Sequence, residues 1–257
     1  MAAKSIAPKV ALVTGASKGV GRGIALGLAD AGWDVGVNYH RDRQGAEATA
    51  KEIQQRDQRS WVLQADVGES KQVRAMFRQL DEEADGLHLL VNNAGVQTWS
   101  SFLDLKEEEW DRTIRTNLKG TFLCTQQAAR RMRERGGCIV NIGSGANKAP
   151  FPKLIDYCAS KGGIETLTTV AAVELGRFRI RVNCVAPGCI EIERTRDEDP
   201  DYAGTWGALT PLSRIGNVED VANAIVYLAG EKAEFVTGQT LYVDGGLWSQ
   251  VPWPYDR

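Results

Sequence analysis

Strand-sized apolar runs alternate with longer amphipathic segments along almost the whole chain, and no other feature limits its possible folds as strongly. The runs are Lys9–Thr14, Asp34–Tyr39, Trp61–Ala65, Leu87–Val91, Cys138–Ile142, Ile180–Val185 and Gln239–Val243. Between them the sequence predicts helices over Gly19–Ala31, Arg43–Arg56, Ser70–Ala84, Glu107–Arg135, Ile155–Phe178 and Val218–Ala229. Strands that are apolar on both faces, each followed by a helix, imply a parallel sheet covered on both sides. Right-handed crossovers then wind the helices onto its two faces. The chain shows no repeat, low-complexity tract or linker, so a single domain over residues 1–257 is expected. The stretch Cys189–Leu209 reads as irregular, and its length suggests an active-site lid.

Composition removes several function classes. Hydrophobic residues make up 43% and charged residues 25%, as in an ordinary globular protein, and the net charge is −2. No basic block offers a footprint for a phosphate backbone, so no nucleic-acid partner is expected. No apolar run approaches the roughly 20 residues that span a bilayer, and Met1–Lys9 lacks the apolar stretch of a signal peptide. The expectation is a cytoplasmic protein with no membrane partner. The five cysteines, Cys124, Cys138, Cys158, Cys184 and Cys189, show no C-x-x-C pair and no histidine neighbours suited to zinc. They read as reduced thiols, and no metal site is expected.

The first strand runs into Thr14-Gly15-Ala16-Ser17-Lys18-Gly19-Val20-Gly21. Three glycines between a strand and a helix let the backbone approach a pyrophosphate, which the free N–H groups and positive dipole end of the helix then hold. The spacing is G-x-x-x-G-x-G; a plain tight turn is the alternative, but the strand-turn-helix context is the one a dinucleotide requires. Further along, Tyr157 and Lys161 stand four residues apart, on one face of a helix. An ammonium beside a phenol favours the phenolate. A tyrosine so placed can give its proton to a carbonyl oxygen as hydride arrives and take it back in reverse. Ser144, just beyond a strand end, could bond the same oxygen.

From the glycine turn onward the chain resembles the short-chain dehydrogenase/reductase family. The resemblance continues through Asn92-Asn93-Ala94-Gly95, Ser144, Tyr157-Cys158-Ala159-Ser160-Lys161, Pro187-Gly188, Thr237-Gly238-Gln239 and Val243-Asp244-Gly245-Gly246, in family order over nearly the whole length. It implies a doubly wound Rossmann fold with a seven-stranded parallel sheet, and catalysis by Ser144, Tyr157 and Lys161 together with Asn117, which anchors a water leading from Lys161. It further implies that Lys161 holds the nicotinamide ribose. Asp66 and Val67 then meet the adenine, Asn93, Ala94 and Gly95 form a platform beside the cofactor, and Pro187, Gly188 and Ile190 run along it. Where the family often has a threonine four residues after the Pro-Gly glycine, this chain has Ile192, and Thr195 could substitute after a loop shift.

NAD-selective folds of this type place an acid at the end of the second strand. Here that position is Tyr39, with His40 and Arg41 following and Lys18 inside the glycine turn. Such a cationic cluster suits the 2′-phosphate of NADP(H), favoured over NAD(H), although Asp42 could still reach the ribose. For the substrate, a small carbonyl or alcohol compound, similarity extends to 3-oxoacyl-carrier-protein reductases and glucose 1-dehydrogenases. Trp99, Phe151, Trp206, Trp248 and Trp253 could border an apolar cleft or simply pack. Two rival readings are weaker. A serine hydrolase needs G-x-S-x-G and a histidine base, and Gly143-Ser144-Gly145 with distant His40 and His88 supplies neither. A non-catalytic cofactor sensor has no use for the catalytic set. The long helices Glu107–Arg135 and Ile155–Phe178 are expected to pair across a two-fold axis and the segment Leu241–Tyr255 to form a second interface, giving the homotetramer common in the family.

Overall fold

The structure, a computed structural model, describes residues 9–250. Trp253 and Tyr255, assigned above to the cleft or to an interface, lie outside the described residues. The strands are β1 (Lys9–Val13), β2 (Trp33–Tyr39), β3 (Ser60–Gln64), β4 (Leu89–Asn92), β5 (Gly137–Ile142), β6 (Ile180–Pro187) and β7 (Thr240–Val243). They form one parallel sheet in the order β3-β2-β1-β4-β5-β6-β7. The expected seven-stranded parallel sheet with helices on both faces is what the chain adopts.

Alternation within each strand builds the two layers. Ala11 and Val13 of β1 face one side, with Val35, Val37, Val91 and Val140, against α1 (Gly19–Asp30) and α9 (Val218–Ala229). Val10 and Leu12 face the other, with Leu63, Leu90 and Val182, against α3 (Ser70–Glu83) and α5 (Gly120–Met132). α2 (Arg43–Gln54) flanks the β2–β3 edge. The strand order reverses between β1 and β4, so the loops leaving their carboxyl ends diverge and open a crevice there. That crevice is where the glycine turn falls.

Two segments differ from expectation. The long helix from Glu107 ends at Met132 and is not uniform: α4 (Glu107–Thr113) and α5 are joined by a π-helical segment, Ile114–Lys119. Asn117 in that segment spends its side chain outside the helix, and Thr121 Oγ1 donates to the Asn117 carbonyl at 2.7 Å. Such wide turns concentrate at functional sites. The stretch expected to be irregular also contains two short helices, α7 (Glu193–Glu198) and α8 (Tyr202–Leu209). Helices of six and eight residues are too short to carry a periodic pattern, and tertiary contacts hold them. The Ile192 N–H donates to Thr195 Oγ1 at 3.0 Å at the start of α7. In α8, Trp206 meets the Phe151 ring edge-on, with centroids 5.6 Å apart.

Candidate active site

The glycine turn is tied down from two sides. Gly15 and Gly19 have φ of +63° and +56°, the left-handed region that favours glycine. Gly21 lies so close to the turn that a Cβ there would fall 2.2 Å from the Gly15 carbonyl oxygen and 2.3 Å from Asn93 Nδ2. Asn93 Nδ2 donates to the carbonyls of Thr14 (2.9 Å) and Gly15 (3.0 Å), and the N–H groups of Asn93 and Ala94 donate to Thr14 Oγ1. From the other side, Gly15 N–H donates to Asn38 Oδ1 at 3.1 Å, while the buried Asn38 amide donates to the Leu63 carbonyl at 3.0 Å. No side chain caps α1 at Lys18, so its first N–H groups face the crevice without a side-chain acceptor. This cradle, closed to a Cβ at Gly21 and ended by an uncapped helix, fits a dinucleotide pyrophosphate.

At the far end of β2, Tyr39 is buried, whereas Lys18, His40 and Arg41 are exposed. Asp42 caps α2, its Oδ1 accepting from Gly45 N–H at 2.9 Å. Asp66 accepts from Gly68 N–H at 2.9 Å and pairs with Arg115 at 3.2 Å, with His40 Nε2 at 4.0 Å. Val67 packs onto Gly120 at the start of α5, where a Cβ would lie 2.7 Å from its Cγ2.

On the other side of the crevice, β5 ends in Ile142, Ser144 follows, and the helix α6 (Ile155–Leu175) carries Tyr157 and Lys161. The Lys161 side chain is buried, and its Nζ donates to the Ile142 carbonyl at 2.7 Å, two residues from Ser144. The same Nζ lies 5.4 Å from the centre of the Tyr157 ring. Tyr157 itself is half-buried. Ser144 Oγ accepts from Ala146 N–H at 3.2 Å and caps the short 3-10 turn Gly145–Asn147. Asn117 faces this group: its Oδ1 accepts from Val96 N–H and its Nδ2 donates to the Val96 carbonyl, both at 2.8 Å, and to Ser160 Oγ at 2.9 Å. A Cβ on Gly95 would touch the same Asn117 Oδ1 at 3.3 Å, which joins the loop after β4 to the π segment.

The loop after β6 closes the arrangement. Gly188 N–H donates to the Val243 carbonyl at 2.9 Å, and Ile190 is buried and bridges to Gly216. Ile192, in the place of the family threonine, lies over the glycine turn, 3.6 Å from where a Gly19 Cβ would be. Thr195 does not take its place, because its hydroxyl is consumed inside the start of α7, accepting from Ile192 N–H and donating back to the Ile192 carbonyl. Of the aromatic candidates, Phe151, Trp206 and Trp248 converge, with Phe151 edge-on to Trp248 at 5.4 Å. Trp248 Nε1 presses into the notch left by Gly145, where a Cβ would fall 1.8 Å away. Trp99 stands apart, 57% exposed.

Asn38, Thr14 and Arg115 are contributors that residue-by-residue reading gave no role. Asn38 alone carries a signal, a buried polar side chain near the carboxyl end of β2, a strand whose other polar residue is Asp34. His88 lies before β4, at the end of the sheet away from Ser144, its Nδ1 accepting from Val10 N–H at 3.0 Å. Among the described residues no group of acidic, histidine and cysteine side chains is arranged to hold a metal, and no helix is long and apolar enough to cross a membrane.

All five thiols are free. Burial pushes Cys124 up to about 12 and Cys138, Cys184 and Cys189 up to about 11; it also raises Cys158, which is only half-buried. A raised pKa means less thiolate at a given pH, and the thiolate is the reactive form. At pH 8, iodoacetamide should therefore label Cys158 first, read by peptide mass spectrometry. Equal or faster labelling of Cys124 or Cys138 would contradict the burial described here.

A glycine-lined crevice at the strand-order reversal, with a Tyr-x-x-x-Lys helix on its rim, defines a nicotinamide-dependent oxidoreductase. A family model described as enoyl-(acyl carrier protein) reductase matches residues 15–248. The 3-oxoacyl-[acyl-carrier-protein] reductase FabG of Staphylococcus aureus is 42% identical over 241 residues, spanning 93% of this chain and 98% of that protein. Among solved structures, acetoin dehydrogenase from Enterobacter cloacae is similar at TM-score 0.87 and 36% identity, covering 97% of this chain and 98% of that one. A gluconate 5-dehydrogenase from Burkholderia cenocepacia, solved with NADP and tartrate, is similar at TM-score 0.88 and 34% identity, covering 95% and 96%. The chain belongs to the short-chain dehydrogenase/reductase family and is an oxidoreductase acting between alcohols and carbonyl compounds.

Proposed function

We propose that this protein interconverts a ketone or aldehyde and its alcohol with NADP(H), Tyr157 serving as the general acid and base. The observation that carries the reading is the buried ammonium of Lys161, fixed to the Ile142 carbonyl and set against the Tyr157 ring. When bound, the nicotinamide donates or accepts the hydride. Tyr157 holds the proton that the substrate oxygen gains or loses, and Lys161 stabilises the phenolate left behind. The bond to Ser144 Oγ uses a lone pair, so its O–H remains to donate to the substrate oxygen as negative charge grows there. Asn117 holds the loop after β4 against the helix pair.

NADP(H) is favoured over NAD(H) by what surrounds the end of β2. Asp42 is occupied as a helix cap and Tyr39 stands where an acid would bond the ribose, leaving Lys18, His40 and Arg41 to meet a 2′-phosphate. The NADP complex of the gluconate 5-dehydrogenase is in line with this preference. The pair α7 and α8 forms a lid over the substrate end, and the converging rings of Phe151, Trp206 and Trp248 wall it. Exposed Phe122, Val170 and Val173 on α5 and α6 support pairing of these helices across a two-fold axis, and exposed Tyr227 and Leu241 support a second interface in a homotetramer. Five unpaired thiols suit the reducing cytoplasm.

The test is a panel of ketones, vicinal diketones, oxoacyl thioesters and sugars, run with each cofactor by nicotinamide absorbance. Turnover with at least one class, faster with NADPH than NADH, is expected. Tyr39→Asp should reverse or at least narrow that preference by about tenfold, the scale of one charge-assisted bond. An unchanged preference would remove the cofactor argument.

A further inference from the structure

One buried carboxylate takes no part in the chemistry above. Asp156, immediately before Tyr157, is 0% exposed, and the described residues include no cation paired with it. Its Oδ1 accepts from Tyr157 N–H at 2.7 Å, and its Oδ2 accepts from Thr113 Oγ1 at 2.6 Å. Thr113 is equally buried and is the last residue of α4, directly before the π segment that carries Asn117. A carboxylate could cap the first turn of α6 from the solvent at little cost, whereas burying one without a cation is expensive unless its bonds are made. What its burial adds is the bond to Thr113.

That bond has a companion one helical turn along. Asn117 Nδ2 donates to Ser160 Oγ at 2.9 Å, and Ser160 Oγ donates to the Tyr157 carbonyl at 2.7 Å. Thr113 and Asn117 are four residues apart on one helix, and Asp156 and Ser160 four apart on the other. Two rungs a turn apart fix what one cannot, namely both the slide and the rotation of α6 against the π segment. Both rungs bond the Tyr157 backbone, its N–H donating to Asp156 Oδ1 and its carbonyl accepting from Ser160 Oγ, and proton transfer at its hydroxyl is sensitive to misplacement of about 1 Å.

From this ladder we infer that Asp156, through Thr113, is a positioning residue that sets where Tyr157 meets the substrate; the inference rests on the catalytic reading above. Asp156→Ala and Thr113→Val should each lower kcat at least tenfold while the NADPH dissociation constant stays within threefold, because the glycine turn stands on other elements. The double variant should be no worse than the poorer single one, since both remove the same bond. Thr113→Ser and Asp156→Asn should recover most of kcat, as each can remake the rung. If Asp156→Ala does not fold, Thr113→Val and Thr113→Ser carry the comparison. Thr113→Val with wild-type kcat and only a lowered melting temperature would overturn the inference, as would a parallel loss of NADPH affinity. If the unaltered protein is inert toward the whole panel, the catalytic reading fails and this inference with it. An active protein with an indifferent Thr113→Val removes this inference alone.

Discussion

Tyr157→Phe is expected to lose turnover by a factor of about 10²–10⁴, the usual contribution of a positioned general acid, while binding NADPH about as tightly as the unaltered protein. The ring remains to pack against the Lys161 ammonium, 5.4 Å from its centre, so only the transferable proton is gone. Lys161→Ala should behave differently. Its Nζ is buried and tied to the Ile142 carbonyl, so removing it takes away the cation beside the phenol and also loosens the junction between β5 and α6. Both kcat and cofactor affinity should fall. Stopped-flow turnover and fluorescence titration with NADPH separate the two cases. Tyr157→Phe with unimpaired kcat would mean that another group supplies the proton.

The second large effect is expected at Gly21. In Gly21→Ala the new methyl would sit 2.2 Å from the Gly15 carbonyl oxygen and 2.3 Å from Asn93 Nδ2. Neither neighbour can retreat cheaply: Gly15 N–H is held by Asn38, and the Asn93 amide is held by two carbonyls. The turn must open, which overpacking data put at about 1–3 kcal/mol of stability, and the pyrophosphate cradle goes with it. NADPH binding should become undetectable at concentrations that saturate the unaltered protein. Gly176→Ala is the matched control. Gly176 has φ of −54°, and nothing lies within 4 Å of its added Cβ. That change should be neutral or stabilising by up to about 1 kcal/mol through the unfolded chain. Thermal melts and NADPH titrations of the pair decide the matter, and retained affinity in Gly21→Ala would contradict the geometry of the cradle.

Residues whose role is local were the legible ones. The glycines of the turn, the Tyr157–Lys161 spacing and Ser144 after a strand each stand out as candidates within a few positions, because backbone approach and helical i, i+4 geometry are short-range. Asn117 was named by resemblance, but the wide turn that holds it was not visible, since a run of helix-forming residues does not say whether a turn closes as α or π. Asp42 was open to either a ribose or a cap, and the structure shows the cap, its Oδ1 accepting from Gly45 N–H. Thr195 was a candidate replacement for the family threonine, and the start of α7 consumes its hydroxyl.

Sequence alone was enough for the sheet and its class of chemistry. Seven apolar runs, the helices between them and a glycine turn after the first strand leave few alternatives, because burial of both sheet faces and close approach of a phosphate are demands on residue type. Only the tertiary structure decided which distant side chains meet: Asn38 with Gly15, Asp156 with Thr113, Phe151 with Trp206 and Trp248. The physical reason is range. A hydrogen bond or ring contact depends on positions fixed to within an ångström by packing across the whole fold, and nothing in the neighbouring residues records it.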